Sequence, residues 1–225
     1  MKKHSFILAM LLLPFMAGAQ IMSDNFQLGF TVSPNLGWLT IDNNDLAGAA
    51  SVSSDGSRAG VTYGILADLG FARNYYFSTA FTITSINGKL SESGAAGTGV
   101  GISSQTYKIR YIDIPLTLKL KSAPSQMGRF YGQFGLGTGI KIGAKADIKQ
   151  RDASNVMNER ENVNISSDIN AIRLSLIAGA GAEWEVSGNL NVFTGVTYNN
   201  GFTKVRSGNP EVRNSYFALN LGVFF

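Results

Sequence analysis

Cysteine is absent from the chain, and its single histidine is His4. Disulfides are therefore excluded, as are the metal sites that Cys and His most often build. Charge is sparse as well, at 15 % of residues. Once Lys2 and Lys3 are set aside with the N-terminal segment, 17 basic and 15 acidic side chains remain. Nothing in that near-balance suggests a nucleic-acid footprint, which would need Lys/Arg clustered on one face, so no nucleic-acid partner is expected. After that segment no apolar run reaches the 18 or so residues of a spanning helix, so any membrane crossing must be made by strands closed into a barrel.

The N-terminal segment has the order of a secretory leader: Lys2 and Lys3, an apolar run from Phe6 to Met16, then Ala17-Gly18-Ala19. Residues 1–19 are expected to be a signal peptide cut near Ala19-Gln20, and residues 20–225 one domain. Twenty-six glycines and 11 % aromatics, with no sustained helical period, point to an all-β chain.

Period-two alternation divides that domain into eight strands. Phe26, Leu28, Phe30, Val32, Pro34, Leu36 and Trp38 share one parity; Ala59, Val61, Tyr63, Ile65, Ala67, Leu69 and Phe71 repeat the pattern. Further strands are read at 75–86, 107–121, 129–146, 168–186, 190–199 and 215–225. Four long connections, 41–57, 87–104, 147–167 and 200–214, alternate with three short turns. An even strand count with short turns on one side and long loops on the other predicts an eight-stranded antiparallel up-and-down transmembrane β-barrel in the bacterial outer membrane.

Alternation alone does not say which face is out. The polar parity is mostly Gly, Thr, Ser and Asn, which suits the narrow interior of eight strands better than a water-washed surface rich in Lys and Glu. The apolar parity then faces lipid, and Phe26, Trp38, Phe71, Tyr75, Tyr107, Phe130, Trp184, Tyr198 and Phe225 are expected in interfacial girdles. The interior should be a packed polar core with no channel.

In the stretch Tyr107–Lys121 the apolar parity slips between Tyr111 and Ile112, which predicts a β-bulge there. With that bulge Lys108, Arg110, Asp113 and Lys119 all point inward. Asp68, Lys119 and Glu183, with Glu185 two residues on, are expected in an inner layer near the short turns. Lys108, Arg110, Lys141, Lys145 and Arg173 would make the outer mouth basic and attractive to anions such as lipid phosphates.

The segment Tyr111-Ile112-Asp113-Ile114-Pro115-Leu116, the leader ending Ala-Gly-Ala-Gln, the Gly-rich fifth strand and the terminal Phe225 together resemble the PorT-like outer-membrane barrels. The resemblance implies a small barrel placed by the barrel-assembly machinery, with Phe225 as the insertion signal and an accessory role in protein secretion as one reading. Barrel enzymes of this membrane resemble one another in needing a histidine base, and none follows His4. The expectation is a non-enzymatic barrel without cofactor or metal. It would contact outer-membrane lipid and act through its outer loops in envelope structure, adhesion or ligand binding. The alternatives are a component working with envelope or secretion proteins and a small-solute channel.

Overall fold

The computed structural model describes residues 26–43, 51–93, 100–126, 128–152, 156–188, 190–206 and 210–225; the expected leader lies outside them. Nine strands follow in order: β1 Phe26–Asn43, β2 Ser51–Ala72, β3 Tyr75–Ser93, β4 Val100–Lys121, β5 Arg129–Asp152, β6 Met157–Asn164, β7 Ile172–Ser187, β8 Leu190–Gly201 and β9 Glu211–Phe224. Eight of them form a closed antiparallel ring, β4-β3-β2-β1-β9-β8-β7-β5, sealed by pairing of β4 with β5. Closure leaves the ring no open edge. The short β6 lies outside it, paired with the far end of β5 from Lys145↔Asn164 to Arg151↔Met157.

The predicted parities of β1 and β2 hold, and the ring turns its apolar side outward. Leu116 is 61 % exposed and Phe134 58 %, while Ser33, Asp68, Thr82 and Ser175 are buried inside. Large apolar side chains facing out of a closed barrel face lipid. An upper aromatic cluster joins Trp38 to Tyr198 and Phe217 at 6.2 and 5.5 Å. A lower one joins Phe71 to Tyr75 and Phe77 at 6.2 and 4.6 Å. Trp38 and Trp184, the two tryptophans, thus mark opposite rims. Single-tryptophan variants in bilayers are expected to be quenched more by bromines near the lipid headgroup than at the chain ends. Deeper quenching at the chain ends would contradict this placement.

The strands are longer than the sequence reading made them. β2 has 22 residues and β5 has 24, against the 9 to 11 or so that cross a bilayer. Much of the expected long connections is strand: β1 runs on to Asn43, β3 to Ser93, and β5 and β6 build a hairpin within 147–167. Pairing continues above the membrane because an isolated backbone would otherwise need water for every peptide group.

The expected bulge in β4 is absent. The register of β3 with β4 runs unbroken from Tyr75↔Leu120 to Glu92↔Ser103. The slip lies instead in β5, where Arg110 pairs Gly143 and Tyr111 pairs Lys141, leaving Ile142 as the extra residue. Odd residues of β4 therefore point inward along its whole length: Tyr107, Ile109 and Tyr111 are buried with Asp113, Lys119 and Lys121. Lys108 and Arg110 point outward, contrary to expectation, and Tyr107 belongs to the interior and not to a girdle. In β5 the extra residue turns Ala144 and Ala146 inward and Lys145 outward, again opposite to the sequence reading.

Candidate functional site

From the short-turn end upward, the interior is layered. At the bottom Lys119 and Lys121, alternate residues of β4, reach Asp68 of β2 and Glu183 of β7. Lys119 Nζ lies 2.8 Å from Asp68 Oδ2 and 3.7 Å from Glu183 Oε1. Lys121 Nζ lies 2.9 Å from both carboxylates and donates to Gln27 Oε1 at 2.6 Å. All four side chains are 4 % exposed or less. Two cations balance two anions, as charges removed from water require. Aromatic faces wrap the ammonium groups: Tyr131 and Phe224 lie 4.7 and 5.1 Å from Lys119, and Tyr76 lies 4.3 Å from Lys121.

The sequence reading places Lys121 at the end of the strand 107–121 but does not include it in the inner layer. Its parity with Lys119 was the available signal. Glu185, expected beside Glu183, is exposed instead, since β7 has by then reached the rim.

Above this quartet lies a chamber lined by Thr31, Ser33, Thr62, Thr82, Thr117, Gln133, Thr197 and Asn199, with a volume of about 130 Å³. That holds a handful of waters at roughly 30 Å³ each. Asp113 also lines it, and among the described residues its Oδ2 has no hydrogen-bond partner. Asp113 and Arg173 flank Gly139, where any Cβ would strike the Asp113 carboxylate. Arg173 donates through Nε to Asn214 Oδ1 at 2.6 Å and through Nη2 to Asn199 Oδ1, with its guanidinium 5.5 Å from the Tyr216 ring.

Higher still the interior turns apolar. Leu39, Ile86, Leu90, Tyr107, Ile109, Tyr111, Ala144 and Val212 pack in one buried cluster with Ile169 and Val205. The last two come from the β6–β7 and β8–β9 connections and are buried over the mouth. Asn170 N–H donates to Val205 O at 2.8 Å, and Val205 N–H to Val212 O at 2.7 Å. Lys141 anchors this cover by donating to the carbonyls of Ser166 and Ile169.

The expected basic mouth is therefore corrected to an apolar plug. Lys141 and Arg173 have their donors engaged inside, while Lys108, Arg110 and Lys145 sit on the outer wall. Above the lipid the surroundings invert: water is outside, so apolar residues gain by turning in. The segment 111–116 divides by the same parity, with Tyr111 and Asp113 inside and Ile114 and Leu116 toward lipid. Phe225 is exposed on the outer face, its ring 5.7 Å from Phe30 and its N–H donating to Leu28 O.

Among solved structures, the chain is similar to Neisserial surface protein A (NspA). Identity is 15 % and the TM-score 0.42, over 87 % of this chain and 95 % of that one. It is similar to Ail of Yersinia pestis at 13 % identity and TM-score 0.40, over 89 % and 99 %. For OprG of Pseudomonas aeruginosa the values are 11 % and 0.41, over 88 % and 92 %. No curated protein sequence matches. The sequence model of the outer membrane protein beta-barrel domain matches residues 18–207, and this match does not single out the PorT-like type. With that match spanning most of a closed, lipid-facing eight-stranded ring, the chain belongs to the outer membrane protein beta-barrel domain family and is a protein of the bacterial outer membrane.

Proposed function

We propose that this barrel is a non-enzymatic, non-conducting outer-membrane protein that works through the strands and loops it raises above the membrane, in envelope structure, adhesion or ligand binding. The observation that carries this reading is the doubly blocked interior. A neutralised ion quartet fills the lower end and an apolar plug the upper, so among the described residues the chamber between them has no continuous polar path through the barrel. Ions crossing it would have to shed water against Ile86, Ile109 and Tyr111, each 1 % exposed.

The titratable groups that line the chamber, Asp113, Lys119 and Tyr131, include no histidine. Its serines and threonines have no histidine beside them, since residues 26–225 contain none. A hydroxyl without such a base is a weak nucleophile. Long, cross-braced strands suit presentation: β4 and β5 pair up to Val100↔Asp152, and β6 stiffens the tip of β5.

Reconstitution in planar bilayers tests the reading. The expected record is flat, with no stable steps at either polarity. A reproducible ohmic conductance would overturn the sealed interior, and with it the assignment of function to the outer surface.

A further inference from the structure

The outer wall of β3, β4, β5 and β6 carries a basic groove where the lipid-facing surface ends. Cross-strand register places its residues in rows. Ile83, Ile112 and Ile140 make one row. Ser85, Arg110 and Gly143 make the next, and Asn87, Lys108, Lys145 and Asn164 the one above. The two upper rows, with Ile142 and Ser166, line a groove of about 460 Å³, within the range of roughly 300–1,000 Å³ usual for small-molecule sites. Gly143 keeps its floor open: a Cβ there would meet only the Arg110 guanidinium, at 3.8 Å.

The charges in this groove work against the fold. Lys108 and Lys145 stand directly opposite each other across the β4–β5 ladder, a like-charge pair that destabilises a sheet. Lys108 is paired with Asp147, whose carboxyl is held below the usual carboxylate range by Lys108 and by the Asn162 N–H. Among the described residues, neither Arg110 nor Lys145 has a carboxylate within ion-pair distance. Three cations thus face one anion, and a local charge of +2 is left unanswered on an exposed wall. Just below, Ile114, Ile140 and Ile142 are 43 to 48 % exposed toward the acyl chains.

We infer that this groove binds the phosphate of an outer-leaflet glycolipid headgroup, with Arg110 and Lys145 as its principal ligands and Lys108 as a third. The forked guanidinium of Arg110 suits two phosphate oxygens at once, and the lysines add point charges from above. The occupant is a lipid because the cations sit directly on the upper edge of the apolar wall. An acyl chain lying on Ile112 and Ile142 would deliver its headgroup to that height. The inference goes beyond the proposed role of the loops and does not depend on it.

The test uses the full barrel in zwitterionic nanodiscs, with bisphosphorylated lipid A as the probe and native mass spectrometry to read bound lipid. Arg110→Gln with Lys145→Gln is expected to weaken retention about 30-fold, at about 1 kcal/mol for each charge removed near an anionic surface. Both side chains are exposed, so heat-modifiable migration on gels should be unchanged. Lys149→Gln, higher on the same strand and paired with Glu159, should leave retention intact. Chemically dephosphorylated lipid A should bind the parent protein no better than it binds the double variant. Equal loss in Lys149→Gln would mean diffuse charge attraction and overturn the site. Equal binding of the dephosphorylated lipid, or full displacement by millimolar inorganic phosphate, would overturn a lipid phosphate as the ligand.

Discussion

Glu183→Ala is expected to destabilise the folded barrel by about 3–5 kcal/mol, the range for removing one partner of a buried ion pair. The substitution leaves Lys119 and Lys121 sharing Asp68 alone, with side chains 4 and 0 % exposed. The rings of Tyr76, Tyr131 and Phe224 soften that imbalance without cancelling it, because a ring face offers a partial charge and a carboxylate a whole one. Unfolding by urea in lipid vesicles, followed by loss of the heat-modifiable band, measures the change. Glu185→Ala supplies the contrast: two residues along the same strand, it is exposed and should shift stability by no more than about 0.5 kcal/mol. Equal effects at the two positions would remove the quartet as the lower closure of the barrel.

Ile109→Asp should be comparably damaging, at about 3 kcal/mol or more, and its effect decides where the upper wall of β4 faces. At 1 % exposure within the apolar plug, a carboxylate there meets Ile86, Leu90 and Tyr111 and finds no partner. Its neighbour Arg110, on the outer wall, should accept aspartate within about 0.5 kcal/mol, since that change relieves repulsion with Lys108 and Lys145. Were the bulge in β4, the two outcomes would trade places. The same urea titration reads both. Ile109→Asp also bears on the sealed interior, because a variant that still folds would carry a polar residue in the plug and could admit ions in the bilayer assay.

The phase slip at Tyr111 and Ile112 shows why alternation was ambiguous. A switch of apolar residues from one parity to the other arises from an inserted residue, or from an unbroken strand whose surroundings invert. β4 is the second case. Leu116, Leu118 and Leu120 turn out toward lipid, and Tyr107, Ile109 and Tyr111 turn in away from water, with no change in the strand between them. The true bulge, at Ile142, left no trace in the pattern because Ile140, Ile142 and Ala144 keep one parity in sequence while Ala144 changes face. Alanine is small enough to pack on either side. Lys108 and Arg110 were misplaced by a bulge that β4 does not have, and Lys145 by the one that β5 does have.

Local sequence was sufficient wherever one medium acts along a whole strand. The runs from Phe26 to Trp38 and from Ala59 to Phe71 specify length, faces and lipid exposure, because a period of two permits only two faces and a residue such as Phe30 cannot share the narrow interior. The eight-stranded ring and its membrane follow from repetition of that pattern. Which charges meet inside was a matter of register between distant strands. Asp68, Lys119, Lys121 and Glu183 come from three strands and share a height through the β2–β3–β4–β5–β7 ladder. The height at which lipid gives way to water, and hence the apolar plug and the basic groove outside it, was likewise set by the assembled wall. A side chain's environment there depends on its neighbours across the sheet, and those are neighbours that no local window of sequence contains.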